Sequence, residues 1–194
     1  MTADHSGVAD ADIIFIAGAP IHCNEEILRK IKPYISPSKQ VHIGTICAYG
    51  GFNWLVDDIF KGYDVVPFGT QLIPWCCGTV EYGSHGIVYG AKDLIRIVTR
   101  FGKDATGIRP VMEGILCQPT EDTSFMASLF WPNNLWLHPP ILYGLFKDWD
   151  GESYYDEDAL PKKIYAEMSD ESGQVIETLD AELRHVVCKL SEVP

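Results

Sequence analysis

The chain has 194 residues and no uninterrupted apolar run of about 18, the length a membrane-crossing helix needs, so no transmembrane segment is expected. Basic residues are few. Fifteen Lys and Arg stand against 27 Asp and Glu, a formal charge of −12, which argues against nucleic acid and against an anionic membrane as partners. The opening MTADHSGVADAD has neither a basic start nor an apolar signal core, so a cytoplasmic location is the expectation. No G-x-x-x-x-G-K-[ST] loop and no G-x-S-x-G elbow occurs, which leaves P-loop and serine-hydrolase chemistry without support. G-x-G-x-x-G, the glycine-rich turn that opens many dinucleotide-binding sheets, is absent as well. The six cysteines (Cys23, Cys47, Cys76, Cys77, Cys117 and Cys188) lack the two-residue spacing of zinc and dithiol motifs. His85 follows Cys77 without a further ligand pair, so no metal site is expected and the thiols read as reduced core residues.

What is present is the balance of a globular chain, 46% hydrophobic and 22% charged, without repeats or low-complexity segments. ADIIFIAGAP reads as a buried strand ending at Gly18, Ala19 and Pro20. NEEILRKIKPYI is a helix with Asn24 as N-cap, KQVHIGTICAYGG a second strand, FNWLVDDIF a helix ended by Gly62, and YDVVPFGT a third strand. This alternation predicts an α/β fold with a parallel sheet. WCCGTVEYGSHGIVYGA reads as a hairpin at the sheet edge, AKDLIRIVTRFG as a helix, and RPVMEGILCQPT as a last strand. From Thr123 onward the pattern is helical, which puts a boundary near residues 118–123.

Ligands of parallel sheets sit at the carboxyl ends of the strands. Two stretches lie there, GAPIHCN and GTICAYGGF, where small residues let a ligand approach and the following helices offer free N–H groups to an anion. The same glycines also serve simply as turn residues. His138, in NNLWLHPPILYGLFKDW, is the other candidate. Pro139 and Pro140 suit a first helical turn, so a helix is expected to start there with His138 at its cap. Trp131, Trp136, Tyr143 and Trp149 would supply an aromatic wall around the ring. Read from the residues alone, His138 is either a core or capping histidine or a catalytic one. The second role needs an orienting carboxylate, for which Asp148 and Asp150 are the nearby choices.

Taken in order, ADIIFIAGAPIHCN with KPYI, the GGF turn at Gly50 to Phe52 with DDIF, LIPWCC, and LHPPILYG followed by WDG resemble the opine (octopine/nopaline) dehydrogenase family, from about Ala11 to about Leu190. The resemblance implies half of a Rossmann-like dinucleotide-binding domain over residues 1–120. It also implies the start of a helical substrate domain over 121–194. It implies NAD or NADP as cofactor, near Gly18, Pro20, Gly51 and Cys77, and an amino acid and an α-keto acid as substrates. Their reductive condensation would have His138 as acid/base. Asn24 and Tyr49 stand where relatives carry a histidine and a glutamine.

Set against the family pattern, the missing glycine-rich turn and the missing downstream aspartate and arginine suggest a truncated form, with sheet edge and bundle face exposed to self-association. A binding or regulatory remnant without hydride transfer, and a related keto-acid dehydrogenase that forms no imine, are the alternatives.

Overall fold

The computed structural model describes residues 4–102, 106–131, 133–156, 158 and 160–192. They form two compact units, divided between Trp131 and Pro132.

The first unit is an α/β layer structure. Strands β1 (Ile13–Ile16), β2 (Val41–Thr45) and β3 (Val65–Thr70) pair in parallel. Helices α1 (Asn24–Ile31) and α2 (Phe52–Ile59) connect them. Leu28 and Ile31 of α1, and Phe52, Val56 and Ile59 of α2, bury against Ile16, Val41 and Ile43 on one face of the sheet. Their spacing of three or four residues is what lays each helix flat on that face. The polar side of α1 carries Glu25–Arg29 and Glu26–Lys30 pairs at i,i+4, which add a few tenths of a kcal/mol at most.

After β3 the chain departs from the expected order. Trp75–Glu81 (β4) and His85–Ala91 (β5) do form a hairpin, but as a separate two-stranded sheet. The expected helix over residues 91–102 is instead a strand, β6 (Ile95–Thr99), antiparallel to β3. Ile95 and Ile97 point to one face and Val98 to the other, a period of two that a β-branched run favours over the expected helix. The expected strand over residues 109–120 is helix α3 (Ile108–Leu116), with Ile108, Met112 and Leu116 buried at four-residue intervals and Pro110 harmless in its first turn. Strand β7 (Thr120–Ser124) runs parallel to β6 and gives the order β1-β2-β3-β6-β7, followed by the short α4 (Phe125–Leu129). TEDTS has no strand signature. Arg109 donates to the Thr120 carbonyl, and Glu113 accepts from both the N–H and the hydroxyl of Thr120, so α3 fixes the strand at its start.

Phe68 is fully buried and belongs to both halves of this sheet. Its ring stacks on Phe15 with centroids 5.7 Å apart and lies over Gly44, while Ile95, Ile97 and Met112 close its other side.

The second unit holds α5 (Asn133–Phe146) and α6 (Asp170–Ser191). Gly144 sits where the helices cross. A Cβ there would lie 2.6 Å from Ser169 Oγ and closer still to Ser172 Oγ. Ser169 caps α6, accepting from the Ser172 N–H, and Asp170 and Glu171 occupy the first turn, where acids favour the helix dipole. Among the described residues no helix is long and apolar enough to cross a membrane. None of the six cysteines forms a disulfide, but four of them (Cys76, Cys77, Cys117 and Cys188) are exposed and not in a core.

The ring over Gly44 sets the first prediction. A methyl at residue 44 would come within 2.6 Å of a buried phenyl. Gly44→Ala should therefore lower the unfolding free energy by about 1–3 kcal/mol, read as a fall in the urea midpoint. An unchanged midpoint would mean that the Phe68 ring is free to move away.

Candidate functional site

Two loops lie at the carboxyl ends of β1 and β2, next to the end of β3. The first, residues 17–20, turns at Gly18 (φ +74°), and nothing lies within 4 Å of where its Cβ would be. A short 3-10 turn (Ile21–Cys23) leads into α1. The second loop, residues 46–51, is held over the end of β3. The Cys47 N–H donates to Thr70 Oγ1 (3.2 Å), the Ala48 N–H to the Thr70 carbonyl (2.8 Å), and Cys47 takes a left-handed conformation (φ +59°). A side chain at residue 69 would lie 2.5 Å from Ala48 Cβ, so Gly69 is what allows this crossing. Loops one and two touch, since a Cβ on Gly50 would meet Ile21 Cδ1 at 2.7 Å.

Of the residues singled out from sequence, Gly18, Pro20 and Gly51 share these strand ends. Pro20 precedes the 3-10 turn, and Gly51 (φ +80°) is the residue before α2. Cys77 stands elsewhere, exposed on β4 opposite Val88 in the separate ribbon. Asn24 is the first residue of α1 and not its cap. It is buried, and its Oδ1 has no hydrogen-bond partner. Neither Cys23 before α1 nor Gly51 before α2 provides a capping side chain; the Asn24 N–H that opens α1 donates to the Ile21 carbonyl of the 3-10 turn, whereas the first N–H groups of α2 are left for solvent or an anion. Gly50 and Gly51 themselves are filled in by Ile21 and Trp54.

The Cys47 thiol is not a nucleophile in waiting. Burial pushes its pKa up, against smaller lowering contributions from hydrogen bonds with the Tyr49 hydroxyl and the backbone of Ile73. Burial and the neighbouring thiol likewise raise the Tyr49 phenol. Beside the loops, a cavity of about 120 Å³ is lined by Ala48, Gly51, Asn53, Trp54, Arg100 and Phe125, among others. Arg100 is already engaged there, donating through both terminal nitrogens to Asp57 at 2.7 and 2.6 Å, and that pairing holds its pKa above the ordinary value.

The second unit carries His138, and the helix there is not as expected. α5 runs through Pro139 and Pro140, so His138 lies within it and does not cap it. The prolines have no N–H, and the carbonyls of Leu135 and Trp136 therefore lose their helical donors within a turn of the histidine. Tyr143 and Trp149, two of the residues expected to wall the ring, are about half exposed. The partner is Tyr165, which the sequence reading missed, with His138 Nε2 2.7 Å from its hydroxyl and the two ring centroids 6.0 Å apart. His138 Nδ1 makes no hydrogen bond among the described residues. Asp150 does not orient the histidine. It accepts from the Glu152 N–H (2.9 Å), the Ser153 N–H (2.8 Å) and the Ser153 hydroxyl, closing a turn in which Trp149 Nε1 donates to the Ser153 carbonyl. Among the described residues no cluster of three or more His, Cys, Asp or Glu could hold a metal ion.

No family model matches the chain. It is 25% identical to an opine dehydrogenase of Haliotis discus hannai over an alignment of 201 positions, which covers all of this chain and 49% of that protein. Two solved structures of octopine dehydrogenase superpose on 80% of it and 39–40% of their own length. The complex with NADH and L-arginine has a TM-score of 0.63 at 20% identity, and the complex with NADH and pyruvate 0.64 at 21%. The chain thus spans about half the length of the curated relative, resembles opine dehydrogenases in sequence, and has the Rossmann-like octopine dehydrogenase fold over most of its residues.

The Asp150 turn yields a pH prediction. The Ser153 hydroxyl, then the Ser153 and Glu152 N–H groups, bring its carboxyl down to about 2 from an ordinary 3.8. Because the folded value is the lower one, the turn's contribution is complete above about 3.8 and is lost as pH falls through about 2. Carboxyl carbon NMR should place the Asp150 midpoint near 2, whereas a midpoint near 3.8 would mean the turn is open in solution.

Proposed function

We propose that this chain acts as part of an opine-dehydrogenase-type oxidoreductase, which joins an amino acid to an α-keto acid by reductive condensation with NADH or NADPH. His138 carries the reading. In a chain similar over its whole length to an opine dehydrogenase, it is an imidazole with one nitrogen anchored and the other without a partner among the described residues.

The cofactor would be held by the first unit. Gly18 leaves open space for it, and the uncapped start of α2 suits its negative charge. These groups fit part of a dinucleotide. The G-x-G-x-x-G turn that ordinarily receives the pyrophosphate is not in the sequence. When bound, the nicotinamide supplies hydride. The protein's part is proton transfer. As the amine adds to the keto carbonyl and water departs, His138 gives a proton to the leaving hydroxyl oxygen, and in the reverse direction neutral His138 takes it back.

A second reading, binding without hydride transfer, draws on Gly50 and Gly51, whose free space is taken by Ile21 and Trp54.

The deciding experiment follows NADH and NADPH oxidation with pyruvate, with and without a panel of L-amino acids, in the wild type and in His138→Gln. Turnover that requires the amine and falls by about 10²–10⁴ in His138→Gln is the expected result. Equal rates in both proteins would refute the role of His138. Turnover without any amine would indicate a keto-acid dehydrogenase, and saturable NADH binding with no turnover would indicate the binding-only reading.

A further inference from the structure

We propose that Tyr165 is a positioning residue for His138. Its phenolic oxygen accepts a hydrogen bond from Nε2–H, and Nδ1 is thereby the nitrogen that exchanges a proton with the substrate. The inference rests on the acid/base reading of His138 given above.

The geometry is a single short contact, 2.7 Å between His138 Nε2 and the Tyr165 hydroxyl, with the rings tilted by 36°. A phenol can donate or accept, so distance alone leaves the direction open. The chemistry closes it. In the acid form both ring nitrogens carry protons, and the phenol can only accept. If the acid then lost its Nε2 proton, the bond would have to reverse, with the hydroxyl turning to donate. If it loses its Nδ1 proton instead, Nε2–H···O stays unchanged through the whole cycle, and no group reorients during the transfer. Nδ1 is also the nitrogen without a partner among the described residues. Tyr165 is 63% exposed, so its own O–H can donate to water while its oxygen receives Nε2–H.

The pairing differs in kind from a histidine–carboxylate pair. A neutral phenol fixes the ring's orientation and tautomer without placing a negative charge beside it. Its position on the chain is informative too. The segment 160–169 has no long helix, and its tyrosine reaches a ring 27 residues earlier, in the turn of α5 whose backbone Pro139 and Pro140 have already loosened.

The test is ¹⁵N NMR of the full chain with labelled histidine, in the wild type, Tyr165→Phe and His138→Gln, the last identifying the His138 signals. The wild-type neutral ring should be protonated at Nε2, with a slowly exchanging Hε2 proton. In Tyr165→Phe, a substitution at an exposed position that keeps the ring, that proton should be lost to exchange and the two tautomers should mix. In turnover assays kcat should fall and KM should stay. A neutral wild-type ring protonated at Nδ1, or spectra unchanged by Tyr165→Phe, would overturn the proposal. If His138→Gln is as active as the wild type, the acid/base reading itself has failed and the proposal falls with it. An inactive His138→Gln beside an unaltered Tyr165→Phe spectrum rejects the role of Tyr165 alone.

Discussion

The crossing of the second loop over the end of β3 is the constraint on which the strand-end surface depends. Thr70 is completely buried, yet it receives two N–H groups from the loop, Cys47 on its hydroxyl and Ala48 on its carbonyl. Buried backbone donors left without partners are costly, so these bonds hold the loop in place. They also hold Cys47 in a left-handed conformation that a non-glycine residue adopts only at a cost of about 1 kcal/mol or more. Gly69 makes room for the crossing, and α2 begins where the loop releases it at Gly51. The start of α2 and the contact with Ile21 follow from that placement.

Beneath the loops, Phe68 joins sheet halves of opposite direction. The parallel β1-β2-β3 arrangement brings three strand ends together, and the antiparallel step to β6 turns the rest of the sheet the other way. The second unit solves a different problem. Its two helices approach closely because residue 144 is glycine, and its functional candidate sits in a helix whose prolines remove two hydrogen bonds. A histidine in such a turn needs an anchor from outside the helix, and Tyr165 provides one.

How far the sequence could be read depended on whether local pattern and final environment agreed. For β1, α1, β2, α2 and β3 they agree: apolar runs are buried, helix faces repeat at three and four, and glycines stand where φ is positive. The exchange of strand and helix at β6 and α3 arose where both periods fitted short segments. Ile95, Ile97 and Val98 serve two faces of a strand as readily as Leu94, Ile95 and Val98 serve one face of a helix. TEDTS is a strand only because β6 lies beside it, a tertiary cause that no window of five residues contains. His138 was visible as an ionisable group in an apolar run, and the resemblance to opine dehydrogenases pointed to its role. Its partner was not visible, because a tyrosine 27 residues away in an irregular segment carries no spacing signal. Asp150 was close in sequence but already committed to its own turn.

The central claim is that the carboxyl ends of β1 and β2 receive a nicotinamide cofactor, and backbone amide NMR during an NADH titration tests it most directly. The account predicts saturable shifts gathered at residues 17–24 and 46–53, with Gly18 and the first amides of α2 among the largest. Saturable shifts centred on the β4–β5 ribbon, or no saturable shift in the folded protein, would contradict it.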